Sequence, residues 1–131
     1  ENQEWQQAQE IFKMLVEDKN STSYAQALAH DHLGRLALQI DGDNLELALS
    51  HWHKAYQLGL RTDTLVENLS LVYTLYLELL IQENDSARAL KHAQEALDYF
   101  PEHTRLQEIQ AHLLLEAGYE QAQLLKGSHN P

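Results

Sequence analysis

Three side-chain triads, Ala8/Phe12/Leu15, Ala48/Trp52/Ala55 and Ala89/Ala93/Ala96, share one spacing of i, i+4, i+7, and their first members stand 40 and 41 residues apart. That spacing places each triad on a single helical stripe. A helix pair recurring at such a period is too small to bury its apolar face alone and is stabilised by stacking on the next pair, which predicts an all-α array of helical hairpins. Five glycines and two prolines in 131 residues are too few turn-formers for a many-stranded sandwich or barrel. An apolar share of 44% with two tryptophans and six tyrosines suffices to close a core, so a disordered acidic tail is excluded as the main reading.

The pattern predicts about seven helices. The first covers 3–17, with Trp5, Ala8, Ile11, Phe12, Leu15 and Val16 as its apolar face. Ser23 and Gln26 form a capping-box start for a second helix to about Ile40, Asp43 and Glu46 for a third ending near Gly59, and Thr64 and Glu67 for a fourth to about Gln82. This fourth helix is apolar nearly all round, so it is expected to be central and covered on both sides. Asn84-Asp85-Ser86 opens a fifth, Pro101 a sixth that stops at Gly118, and a short seventh runs through Leu125. One repeat domain is expected over 1–126, with a flexible polar tail at 127–131. The chain starts at Glu1 within the pattern and reads as a piece of a longer protein.

Nine Lys and Arg against 20 Asp and Glu give a net charge of −11, without a local basic cluster, which disfavours nucleic acid as a ligand. Full protonation of the eight histidines would move the formal charge from −11 to −3. The apolar run 69–81 contains Glu78 and falls short of a clean membrane span, so a buried helix is predicted and no membrane insertion. The absence of cysteine is compatible with any compartment.

The run ARALKHAQEALDYFPEH, with Ala89, Ala93, Ala96, Leu97 and Pro101, resembles the second helix of a tetratricopeptide repeat, and Leu33-Gly34 resembles the Leu-Gly pair of its first helix. His30 stands where the family has tryptophan, Ala37 where it has tyrosine, and Gly34 to Ala48 spans 14 residues rather than the family's twelve. The early repeats are thus stretched variants, and the last, with Thr104, Gly118, Tyr119 and Ala122, is truncated. The resemblance implies a right-handed superhelical α-solenoid that binds a peptide or partner helix in a concave groove, without catalysis or cofactor. HEAT-like hairpins, whose period is also near forty, are the structural alternative.

Read into the family's groove positions, the second helix presents Leu28, Asp31, Arg35 and Leu38, the fourth Leu69, Val72, Tyr76 and Leu79, and the sixth Arg105, Glu108, His112 and Leu115; in a fourth helix this apolar, the alternative is that Leu69 to Leu79 are core. The implied partner is a peptide or amphipathic helix with a few apolar anchors and a basic flank. The Lys/Asn clamp by which some family members hold a terminal carboxylate is not apparent, since Asp31 and Glu108 carry the opposite charge. Ile11, Phe12, Leu124 and Leu125 lack obvious cover, so a second copy or flanking repeats form the alternative partner.

Catalytic motifs are missing: no glycine-rich phosphate loop, G-x-S-x-G elbow, H-E-x-x-H or cysteine nucleophile occurs. The carboxylates Asp41/Asp43, Glu83/Asp85 and Glu116/Glu120 sit at expected turns and helix ends, and Asp41-Gly42-Asp43-Asn44 lacks the later ligands of a calcium loop. His30/His32 and His51/His53 fall at matching heights in an antiparallel hairpin turning near 41–43. Residues two apart on a helix point about 200° apart, so at most one imidazole from each pair faces the seam, too few for a closed zinc site. His32 and His53 are the outside candidates for a metal; none is assigned.

Overall fold

The computed structural model describes residues 2–40 and 44–128. Among them are six helices and no strand: α1 (Asn2–Glu17), α2 (Ser23–Ile40), α3 (Leu45–Gln57), α4 (Asp63–Gln82), α5 (Ser86–Tyr99) and α6 (Thr104–Ser128). The all-helical class read from the triads is present.

Helix starts follow from side-chain acceptors for otherwise orphaned N–H groups. Thr22 Oγ1 accepts from the Ala25 amide at 3.1 Å, Asn44 Oδ1 from Leu47 at 3.1 Å, Thr62 Oγ1 from Leu65 at 3.2 Å and Asp85 Oδ1 from Arg88 at 3.3 Å. The starts expected at Ser23 and Thr64 therefore move upstream by one and two residues. Asp43 lies outside the described residues, and the cap observed is Asn44. Pro101 does not begin α6; its carbonyl accepts from Gln107 Nε2 at 2.8 Å, while His103 Nδ1 accepts the Leu106 amide at 3.3 Å.

Two helix ends share one mechanism. At the end of α3, Leu60 N–H reaches the Ala55 carbonyl and Gly59 N–H that of Tyr56, with Gly59 at φ 107°. At the end of α4, Asp85 N–H reaches Leu80 and Asn84 N–H reaches Ile81, with Asn84 at φ 60°. Both are Schellman endings, built on residues that tolerate the left-handed region. Arg61 reinforces the first, its guanidinium donating to the Tyr56 carbonyl and lying 3.5 Å above the centre of the Tyr56 ring.

Gly118 does not end a helix. α6 passes through it to Ser128, so the expected sixth and seventh helices are one. A glycine inside a helix costs only about 1 kcal/mol, and helix-favouring Leu114 to Ala117 and Glu120 to Gln123 flank it. Of the expected tail, 127–128 continue α6, and 129–131 lie outside the described residues.

The chain divides into two compact units, Glu1–Val72 and Tyr73–Pro131. In the first, α2 packs against α1 and α3, and Ala27, Ala29, Ala37, Ala48 and Ala55 are buried, small side chains that let backbones approach closely. Phe12, expected to lack cover, stacks on His32 with ring centres 4.8 Å apart. In the second unit, Tyr73, Leu77 and Leu80 of α4, Ala89, Ala93 and Ala96 of α5, and Leu106, Ile109 and Leu113 of α6 form the core.

α4 is long and apolar enough, by length and composition, to cross a membrane. Its buried residues Leu65, Leu69, Val72, Tyr73, Tyr76, Leu77 and Leu80 are those of a core helix. The expected cover on both sides is not seen: Leu71, Leu75 and Leu79 are 55%, 40% and 38% exposed. Apolar composition all round an α-helix does not demand burial all round, because folded surfaces carry apolar side chains as well.

Candidate partner-binding groove

In the second unit the last turns of α4 and the first turns of α6 border an open groove of about 360 Å³, lined by Glu78, Ile81 and Gln82 on α4 and by Arg105, Glu108, Ile109 and His112 on α6. Ile109, buried, forms the apolar floor with half-buried Ile81. Arg105 spans the rim, its Nη2 3.2 Å from Glu78 Oε1 and its Nη1 3.4 Å from Glu108 Oε2. The hydrogen bond that Arg105 donates to Glu78, with the one it donates to Glu108 assisting, raises the guanidinium above its ordinary pKa. All three side chains are about half exposed, so this bridge orients the rim more than it stabilises the fold. His112 and Glu116 extend the rim at 3.7 Å.

Of the residues expected on the sixth helix, Arg105, Glu108 and His112 line this local α4–α6 groove. Leu115 lies one turn beyond His112 and is 61% exposed. On α4 the expected residues are on the wrong face: Leu69, Val72 and Tyr76 are 0%, 2% and 4% exposed and serve the core, leaving only Leu79 at the surface. Tyr76 is held internally, with its hydroxyl 2.6 Å from Arg88 Nη2 and its ring edge-on to His92 at 5.2 Å. Glu78, Ile81 and Gln82 were missed. The signal for them is Glu78 itself, the charged residue in the run 69–81, whose helical neighbours Leu71, Leu75 and Gln82 are all exposed.

In the first unit, Leu28 and Leu38 are half-buried. Asp31 is buried at 5% exposure and accepts from Arg35 Nη2 at 3.0 Å through Oδ2. Arg35 is exposed, but its guanidinium compensates a buried carboxylate. Both residues thus have structural work.

At the seam it is His30 and His51 that meet, with Nδ1 atoms 3.0 Å apart, rather than the candidates His32 and His53. His32 lies flat on Phe12 instead, and His53 is half-buried. His51 is three residues from Ala48 and four from Ala55, on the stripe that faces α2, and His30 precedes Gly34 by one turn. Among the described residues no group of three or more His, Cys, Asp or Glu side chains gathers to hold a metal ion.

No family model, curated protein or solved structure matches the chain. The groove thus joins an apolar floor to the carboxylates of Glu78 and Glu108, with Arg105 shared between them.

Proposed function

We propose that the chain is a non-enzymatic protein-interaction module, a tetratricopeptide-like helical array that receives a peptide or partner helix in the groove between α4 and α6. The observation that carries this reading is the juxtaposition of Ile81 and Ile109 with the carboxylates of Glu78 and Glu108 in one open groove. The apolar pair takes an aliphatic anchor, and the acidic rim favours basic residues beside it. Helices already formed lose little scaffold entropy on binding, and neither a covalent step nor a cofactor is needed. The net charge of −11 supports a protein partner over nucleic acid, and the buried stripe of α4 supports a core role over membrane insertion.

Selection from a displayed library of amphipathic peptides tests the reading. Enriched peptides should carry an aliphatic residue beside Lys or Arg, and their affinity should fall about tenfold for the Glu78→Lys/Glu108→Lys protein, given the modest worth of exposed ion pairs. Absence of enrichment, or equal affinity for parent and variant, would overturn it.

A second reading is self-association or packing of flanking repeats. It is favoured by exposed Ile11 and Met14 on α1, at 63% and 68%, and by Leu114, Tyr119 and Leu124 on α6, at 53%, 70% and 69%. Light scattering that gives a mass above the monomer's 15.1 kDa and rising with concentration would support it.

A further inference from the structure

Away from the groove, His30 on α2 and His51 on α3 bring their rings to 5.3 Å between centres, tilted by 35°, with the Nδ1 atoms 3.0 Å apart. A hydrogen bond between two Nδ1 atoms needs one proton on one of them and a lone pair on the other. Two neutral imidazoles meet this condition in complementary tautomers. Two imidazolium rings do not, because both Nδ1 atoms then carry protons and N–H faces N–H.

The surroundings also oppose protonation. Both rings are half-buried, and the charged groups that act on them are Lys13 of α1, on His51, and Lys54 of α3, on His30. The carboxylate of Asp31, adjacent in sequence to His30, is engaged by Arg35. Burial first, then His51 and Lys54, lowers His30 from 6.5 to about 4. Burial first, then Lys13, lowers His51 below its ordinary value.

We propose that the His30–His51 contact is an acid-released latch between α2 and α3, closed while one proton lies between the two Nδ1 atoms and opened when both imidazoles are protonated. Opening exposes more than the histidines. Trp52, the neighbour of His51, packs in the same seam, with its indole N–H 3.0 Å from the Asp31 carbonyl and its ring against Gly34. The open state takes protons at the ordinary histidine pKa of 6.5 and the closed state only at lower pH. The latch's contribution to stability is therefore complete above about pH 6.5 and is lost as pH falls through about 4.

The second tryptophan, Trp5, is already 40% exposed, so Trp5→Phe leaves Trp52 as the single fluorescent reporter of the seam. On acidification from neutral pH to about 4, Trp52 emission is expected to shift to the red. The imidazole Cε1–H resonances of His30 and His51 should titrate below the ordinary histidine range, and amide exchange in α2 and α3 should rise with the Trp52 shift. His30→Gln/His51→Gln, which keeps a neutral hydrogen-bonding pair, should hold the blue emission through the same range. Titration of both imidazoles at their ordinary value, or an unchanged acid transition in the double variant, would overturn the latch. If the double variant fails to fold at neutral pH, the imidazole titration of the parent protein decides alone.

Discussion

Gly34 and Trp52 fit so closely that a Cβ on Gly34 would lie 2.6 Å from Trp52 Nε1 and 2.8 Å from its Cδ1 and Cε2. The ring is fixed at that distance by its hydrogen bond to the Asp31 carbonyl and by 2% exposure. Gly34→Ala gains about 1 kcal/mol of helix propensity, yet forcing a methyl into a packed aromatic costs about 1–3 kcal/mol. The variant should therefore melt below the parent or at best match it. In a Trp52→Leu background, which removes the indole, the same substitution should become stabilising; chemical denaturation of the four proteins as a cycle measures this reversal.

Two other glycines meet open space, and their backbones decide the outcome. Gly59 holds φ 107°, where a side chain costs about 1–2 kcal/mol, so Gly59→Ala should destabilise by that amount. Gly118 lies in a regular helix, and Gly118→Ala should stabilise by up to about 1 kcal/mol. Thermal melts of the two variants should move in opposite directions.

Tyr76 distinguishes core from surface. Tyr76→Phe deletes the hydroxyl bound to Arg88 and should cost about 1 kcal/mol, the net worth of one hydrogen bond. Tyr76→Asp loses a buried aromatic and places a carboxylate where exposure is 4%, which should cost at least about 3 kcal/mol. Urea unfolding followed by circular dichroism checks both. A folded, fully stable Tyr76→Asp protein would place this face at the surface.

Tyr73 sets an alkaline limit. Burial, with Glu95 and Tyr99 adding to it, raises its phenol above the ordinary value of 10.0. The unfolded chain loses that proton first, so the stability Tyr73 contributes is complete below pH 10.0 and is lost as pH rises above it. In a spectrophotometric titration Tyr73 should ionise late and together with unfolding, and Tyr73→Phe should remove that late component.

Helical class, the ends of α3 and α4 and the stripe of α3 were legible because each depends on residues near one another in sequence. Gly59 and Asn84 offer left-handed backbones, Asp85 a capping carboxylate, and Ala48, Trp52 and Ala55 a stripe interrupted by polar residues. Gly118 misled because a glycine only weakens a helix unless its backbone turns left-handed. The face of α4 was misassigned because apolar residues occupy nearly its whole circumference, leaving Glu78 as the main sign of which side meets water.

From its residues alone, the chain's helices and the angular spacing of side chains around each of them follow, since these depend on local backbone chemistry. Only the tertiary structure decides the rotation of each helix about its axis. Packing buries Tyr76 and exposes Leu75, sets His30 and not His32 against His51, and brings Arg105 to Glu78 across 27 positions of sequence. The physical reason is that a helix apolar on several sides satisfies its own hydrogen bonds in any orientation. Which side loses water is then decided by the surfaces its neighbours present.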